Sequence, residues 1–314
     1  MVRGSGAVVA PVAIVGVLFV GRAMVDGAVA TVLPGIQPRE VALFDATAIP
    51  ITTTVLWHKV PRMVTAHDLL NNQTLWRRMH FGDWDRVDRP LRERALSRML
   101  LRYSYVLDGP DAWSQMSIFD WDNVPQPIRA FTYQRMVAHW TSHYDVGAGY
   151  AESPSVAAET VSAIVMAESW FEHRGISVSD WGNRDIGLAA CSNHCREVLA
   201  ELAGDGLVDF QLDDHEYFHP WNGARVAAFW FGRELARAEG DFDLAIAAYH
   251  RGFEAARRGA GQDYASNVRR LLRRYIRAEE APPTWTYLSE AIPLQPVFSR
   301  ETAAVPPPED RAGV

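Results

Sequence analysis

Glu168 stands where the pattern of its own segment calls for an apolar side chain. Val161, Ile164 and Val165 recur at the i, i+3, i+4 spacing of one helix face, Glu168 falls at i+7 of that stripe, and Phe171 continues it. Burying an ionised carboxylate is costly, so the group either gains a partner or has its pKa raised. A glutamic acid held protonated by apolar walls is what a general acid for glycoside cleavage requires. For an isolated Glu, a place at the core edge with its head in water is the commoner outcome. The motifs downstream of Glu168 reverse that expectation.

Other groups with chemical potential are weaker. His139 and His143 stand i, i+4 on a helix, as metal ligands can, but Trp140 takes the place of the Glu that a zinc peptidase needs, which leaves a surface pair. Asp213, Asp214, His215, Glu216 and His219 read as a solvated charged loop, with metal binding as the minor alternative. Cys191 and Cys195 are the only cysteines. They read as two small core positions on one helix: zinc would need more ligands, and a disulfide would need favourable geometry along one turn. The arginines from Arg257 to Arg277 read as a solvated helix face with a second use against an anionic polymer. None of these groups implies a metal or a cofactor.

The elements that must position Glu168 are mostly helices. Ser153-Pro154 opens its helix, Ser as cap and Pro in the first turn, and Gly175 is the expected close. A loop over Val178–Asp185 separates it from a helix of about Cys191–Ala203. Helices are then expected over about Asn222–Glu239, from an Asp241 cap through Phe253, and over about Gln262–Glu280. Upstream, Thr65 caps a helix to about His80, Pro90 starts another, and a third spans about Pro127–Tyr144, with an aromatic loop Trp113–Trp121 between the last two. These three form an accessory lobe.

The ends read differently. Arg3, the uncharged run Ala7–Val20 and Ala28-Val29-Ala30 resemble an export signal in residues 1–30, cleaved after Ala30 or kept as a membrane tether through residues 7–20. The run is short of the roughly 20 residues of a membrane span. Residues 31–60 read as a linker with one short extended segment at Ile51–Leu56, and 282–314 as a Pro-rich tail. The net charge of −7 argues against a nucleic-acid partner. The 48% hydrophobic share supports a real core.

The order of motifs from residue 155 to 275 resembles the soluble lytic transglycosylase (SLT) family, which cleaves peptidoglycan. Glu168-Ser169 with Phe171 is similar to its first motif, and Asn183-x-Asp185-x-Gly187-Leu188 to its second. Pro220 and Asn222 before Ala224, then Ala248-Tyr249-His250 with Gly252, then Tyr264 and Val268, resemble the later landmarks. The family usually has Gly-Leu-Met-Gln where this chain has Gly187-Leu188-Ala189-Ala190, and Asn where it has His250. Both departures fall where the resemblance implies sugar contacts.

The resemblance implies a lysozyme-like, mainly α (α+β) catalytic domain over 151–281, preceded by linker and helical lobe over 31–150. It implies one Glu, Glu168, as both acid and base, cutting the β-1,4 bond between N-acetylmuramic acid and N-acetylglucosamine and leaving a 1,6-anhydromuramyl end. Ser169, Gly187, Leu188, Tyr249, His250 and Tyr264 are the implied substrate-side residues. The implied partner is the glycan strand of peptidoglycan, in the periplasm or cell envelope, with room for a partner in an envelope complex. The alternatives are a lysozyme-type hydrolase of the same fold, which needs a second carboxylate from Asp180 or Asp185, and a non-catalytic wall-binding scaffold, which Ala190 and His250 favour.

Overall fold

The helix that carries Glu168 lies at the centre of the molecule. In the computed structural model, which describes residues 49–55, 58–150, 154–178 and 184–292, this helix is α8, Pro154–Ser169. Val161, Ala163, Ile164, Val165 and Met166 are all fully buried. A helix apolar on almost every side must be enclosed by others. Four elements do this: α7 (Gln126–His143), α10 (Pro220–Arg237), α13 (Gln262–Leu271) and a π turn, Leu272–Ile276. The fold is mainly α, as expected.

Before α7 the described residues form a hairpin and six short or medium α-helices. Strands β1 (Ile49–Val55) and β2 (His58–Val64) pair antiparallel, with Ile49 opposite Val64 and Val55 opposite His58. The single extended segment expected from the sequence is therefore half of a two-stranded hairpin. Thr65 caps as expected: its hydroxyl accepts from Asp68 N at 3.1 Å while the Asp68 carboxylate accepts from Thr65 N. That helix is shorter than expected, because α1 (Ala66–Asn71) stops at Asn72. Asn72 is extended, with φ −93° and ψ 95°, and its side chain caps α2 (Gln73–Arg78) instead. Next come α3 (Phe81–Trp84) and α4 (Arg89–Arg102). The aromatic loop is in fact two short helices, α5 (Pro110–Gln115) and α6 (Ile118–Asp122), with Trp113 and Trp121 fully buried.

After α8 the chain forms a small antiparallel pair, β3 (Ile176–Val178) and β4 (Arg184–Ile186), with Ser177 opposite Asp185. Helices α9 (Asn193–Gly204), α10, α11 (Phe242–Arg251), α12 (Phe253–Arg257) and α13 complete the order. Asp241 caps α11 as expected, accepting from Leu244 N at 3.0 Å. The expected long last helix gives way to the π turn at Leu272. Part of the expected Pro-rich tail is instead helix α14, Pro283–Ala291, because Pro283 occupies its first turn. Trp285 and Leu288 of α14 are buried in the main core, which runs unbroken from Val64 to Ile292. Ser153, Asp180 and Asn183, the export segment and the end of the tail lie outside the described residues.

Candidate active site

Helix α8 does not run on to Gly175. It ends at Ser169, and Trp170 and Phe171 take left-handed backbone conformations, with φ 51° and 58°. Such a conformation costs a non-glycine residue on the order of 1–3 kcal/mol. Tertiary packing offsets the cost. Phe171 is fully buried and stacks on Trp285, ring centroids 6.1 Å apart, and the Trp170 carbonyl accepts from Gln126 Nε2 at 3.3 Å. The turn thus halts the helix one residue past Glu168 and exposes Glu168 at its end.

A buried polar cluster fixes the next residues. His173 is fully buried, donates from Nε2 to Asp122 Oδ1 at 3.1 Å, and meets the Tyr133 hydroxyl at Nδ1, also at 3.1 Å. Arg174 grips Asp122 through two nitrogens, and Arg129 pairs with Glu172 at 3.0 Å. Burial alone would raise the Asp122 carboxyl, but hydrogen bonds from His173 and Arg174 outweigh it and hold the pKa at about 2. Helices α6 and α7, which precede α8 in sequence, therefore clamp the turn after Glu168.

Glu168 itself is 16% exposed along its side chain. The Tyr264 hydroxyl, on α13, donates to its Oε1 at 2.5 Å. His250 Nδ1, at the end of α11, lies 3.9 Å from the same oxygen, and its ring stacks on Tyr264 with centroids 4.3 Å apart and planes within 7°. Burial raises the Glu168 pKa, the Tyr264 bond pulls it down, and the Asp185 charge adds to the rise; the net direction is up. Burial lowers the pKa of His250, and the neighbouring Arg251 charge adds to that.

The loop facing Glu168 is a closed turn, Gly187 to Ala190. Ile186 and Cys191 exchange both backbone hydrogen bonds, at 3.0 and 3.2 Å, and Ala190 N donates to Gly187 O. Gly187 has φ +73°, and a Cβ there would sit 2.1 Å from the Tyr217 carbonyl oxygen, so only glycine fits. Cys191 and Cys195 form a disulfide, Cα to Cα 5.5 Å, which corrects the expectation of two free core thiols. Cys191 precedes the helix: Ser192 is extended and caps α9 by accepting from Cys195 N, which frees Cys191 from the helical path.

Residues 147–271 match the family model of the Transglycosylase SLT domain. By this match the stretch is similar to an SLT domain. No curated protein and no solved structure matches the chain. Within the SLT domain the expected residues divide by what they touch. Glu168, Tyr264 and His250 converge. Ser169 instead turns its hydroxyl to the carbonyls of Val165 and Leu188, both at 3.0 Å, and so ties α8 to the turn. The Tyr249 hydroxyl donates to Ala189 O at 3.0 Å and braces the same turn from behind. Leu188 is fully buried, and Gly223 on α10 is small enough to admit it. Ser169, Leu188 and Tyr249 therefore shape the site through the turn, while Gly187 lines it.

Glu168 lies at the junction of two clefts, sharing that position with Asp185 and Ala190. One, of about 590 Å³, is walled on its far side by His80, Asp83, Arg86 and Gln126, residues that lie before the SLT domain. The other, of about 830 Å³, runs past His250 between α10 and α12. Neither wall is among the residues expected from the sequence motifs. The first carries no local signal, because its residues lie more than 40 positions from Glu168. The second is legible on α10, where Trp230, Arg233, Glu234 and Arg237 recur at i, i+3, i+4, i+7 on one face. The His139–His143 pair lies beside Trp221, with His143 paired to Asp209 at 3.5 Å. His219 departs from the solvated loop: it is half-buried, and its Nε2 bonds Met116 O. Among the described residues no cluster of metal-ligating side chains forms.

Proposed function

We propose that this protein is a peptidoglycan lytic transglycosylase that cuts the bond between N-acetylmuramic acid and N-acetylglucosamine with Glu168 as its one acid and base. The state of Glu168 carries the reading: a mostly buried carboxyl with raised pKa, held by a tyrosine, at the junction of two clefts. In the first step Glu168 gives its proton to the bridging oxygen as the anomeric C–O bond breaks, and the glucosamine side leaves as an alcohol. In the second, the muramyl C6 hydroxyl bonds to the anomeric carbon and gives its proton to Glu168. No water is consumed, the acid is regenerated, and the nucleophile gains from being on the same sugar. Tyr264 orients the carboxyl in both steps. The turn Gly187–Ala190, braced by Ser169 and Tyr249, forms the opposite wall.

The same reading places the protein in the cell envelope after export, guided by Arg3, Ala7–Val20 and Ala28-Val29-Ala30. The disulfide supports an oxidising compartment. Among the described residues no helix is long and apolar enough to cross a membrane.

Asp185 supports one further reading. Its carboxylate lines both clefts and accepts from Ser177 at 3.0 Å, so a hydrolase could use it as a second carboxylate. Mass spectrometry of digested wall decides. A transglycosylase leaves 1,6-anhydromuramyl ends, and Asp185→Asn still yields them. Reducing ends alone, with a folded but dead Asp185→Asn variant, would make the protein a hydrolase.

A further inference from the structure

The two clefts that meet at Glu168 differ in charge. On the His80 side one arginine, Arg86, faces Asp83 and Glu172. On the other side, beyond the junction, Arg233, Arg237, Arg251 and Arg258 face two glutamates, Glu234 and Glu254. The arginine side is also built. Glu234 is 1% exposed and pairs with Arg233 at 3.0 Å and Arg237 at 3.2 Å. Arg233 lies over the Trp230 ring at 4.7 Å and Arg237 over Phe253 at 4.4 Å. A buried carboxylate and two aromatic faces therefore fix two guanidiniums at the cleft wall before any ligand arrives. Arg251 and Arg258 are exposed, line the same cleft and make no ion pair among the described residues.

Fixed guanidiniums with two unpaired neighbours suit carboxylates. We propose that this arm of the cleft binds the carboxylates of the peptide stem carried by the muramyl sugar. The inference rests on the peptidoglycan reading above. The stem branches from the muramyl ring, the ring whose anomeric bond Glu168 would break, so it must leave the site close to Glu168. An extended stem of four residues reaches roughly 14 Å, and the 830 Å³ arm gives it a path. Arg233 and Arg237 supply a fixed cationic wall, and Arg251 and Arg258 close on the free carboxylates. The arm thus selects glycan that still carries its peptides over bare glycan.

The test is equilibrium binding, so it needs no turnover. Glu168→Gln protein is titrated calorimetrically with an N-acetylglucosaminyl-N-acetylmuramyl disaccharide bearing a tetrapeptide, and with the same disaccharide without the peptide. The peptide-bearing probe is expected to bind about tenfold tighter at low salt, two partly exposed ion pairs of about 0.7 kcal/mol each. Arg251→Ala with Arg258→Ala is expected to bring the ratio close to one, while Arg270→Ala with Arg273→Ala, outside the cleft, leaves it intact. A ratio of one in the parent overturns the proposal, as does a ratio the Arg251 and Arg258 changes do not move. Failure of the cleavage reading would show separately, as wall digestion by the unsubstituted protein that yields no cut glycan.

Discussion

Tyr264 and Glu168, 96 positions apart in the chain, share a 2.5 Å hydrogen bond in which the phenol donates and the carboxyl accepts. The bond favours the ionised carboxylate and so lowers a pKa that burial has raised. Removing it with Tyr264→Phe moves the Glu168 pKa further up. A mechanism that begins with protonated Glu168 loses activity as pH rises through that pKa, so the alkaline limb of the pH–rate profile is expected to shift to higher pH. The rate at the optimum should fall about tenfold, the cost of one hydrogen bond to a charged group. A profile that stays in place, measured on solubilised glycan strands, would remove Tyr264 from the acid's control.

Glu168→Gln is expected to cut cleavage by about 10²–10⁴-fold, the usual share of general acid–base catalysis. It should also stabilise the fold, with a definite pH dependence. The folded pKa of Glu168 lies above its unfolded value, so the folded state carries the proton more readily. The native carboxyl therefore costs no stability at low pH, and its cost grows as pH rises from the unfolded pKa through the folded one. The Tm of the Gln variant should exceed that of the parent at neutral pH, and the two should converge in acid. Calorimetric scans at several pH values check this.

Local devices are legible in the sequence, and tertiary ones are hidden from it. The stripe of Val161, Ile164 and Val165 and the caps at Thr65 and Asp241 depend on neighbours within a turn or two, and each appears as expected. The left-handed pair Trp170–Phe171 carries no glycine and is held by Trp285 and Gln126, both distant in sequence. Ser169 and Tyr249 suit a sugar by residue type alone. Their partners are backbone carbonyls of the Gly187–Ala190 turn, which no side-chain pattern announces. The spacing of the cysteines suggests helical neighbours, and a single extended residue at Ser192 places them at disulfide distance instead.

Ala190 and His250 are two of the residues that depart from the family pattern, and both line the cleft beside Glu168. Ala190 is left-handed, with φ 46°, and forms part of both clefts, so a longer side chain there would reach into either. Ala190→Gln with His250→Asn is expected to lower KM on ordinary peptidoglycan about fivefold, one added neutral hydrogen bond of about 1 kcal/mol. The same change bears on pH. Protonated His250 would stand 3.9 Å from Oε1 and favour ionised Glu168, which disarms the acid. Its pKa lies below the ordinary histidine range, with burial the main cause, Arg251 lowering it further and Asp263 and Asp185 opposing. The acid limb of the parent profile should therefore vanish in the Asn variant. An unchanged KM together with an unchanged acid limb would show that neither position governs the site.

Trp285 tests whether residues beyond the stretch 147–271 hold the turn after Glu168. It is 1% exposed and touches the rings of Phe81, Phe131, Phe171 and Tyr275, with centroids between 4.8 and 6.1 Å. It thus joins α3, α7 and the π turn to Phe171, the left-handed residue that ends the exit from α8. Truncating a buried aromatic of this size costs about 3–5 kcal/mol, so Trp285→Ala should lower the denaturation midpoint sharply. A purely global role predicts that activity at low temperature, where the variant is still folded, stays normal. The contact with Phe171 predicts more: without its stacking partner the strained turn relaxes, Glu168 loses its fixed place against Tyr264, and cleavage falls about tenfold or more while the protein remains folded. Trp285→Phe, which keeps a ring against Phe171, should recover most of that rate and only part of the stability. Full activity in folded Trp285→Ala protein would confine α14 to holding the core together and leave the turn after Glu168 supported by Gln126 and the His173 cluster alone.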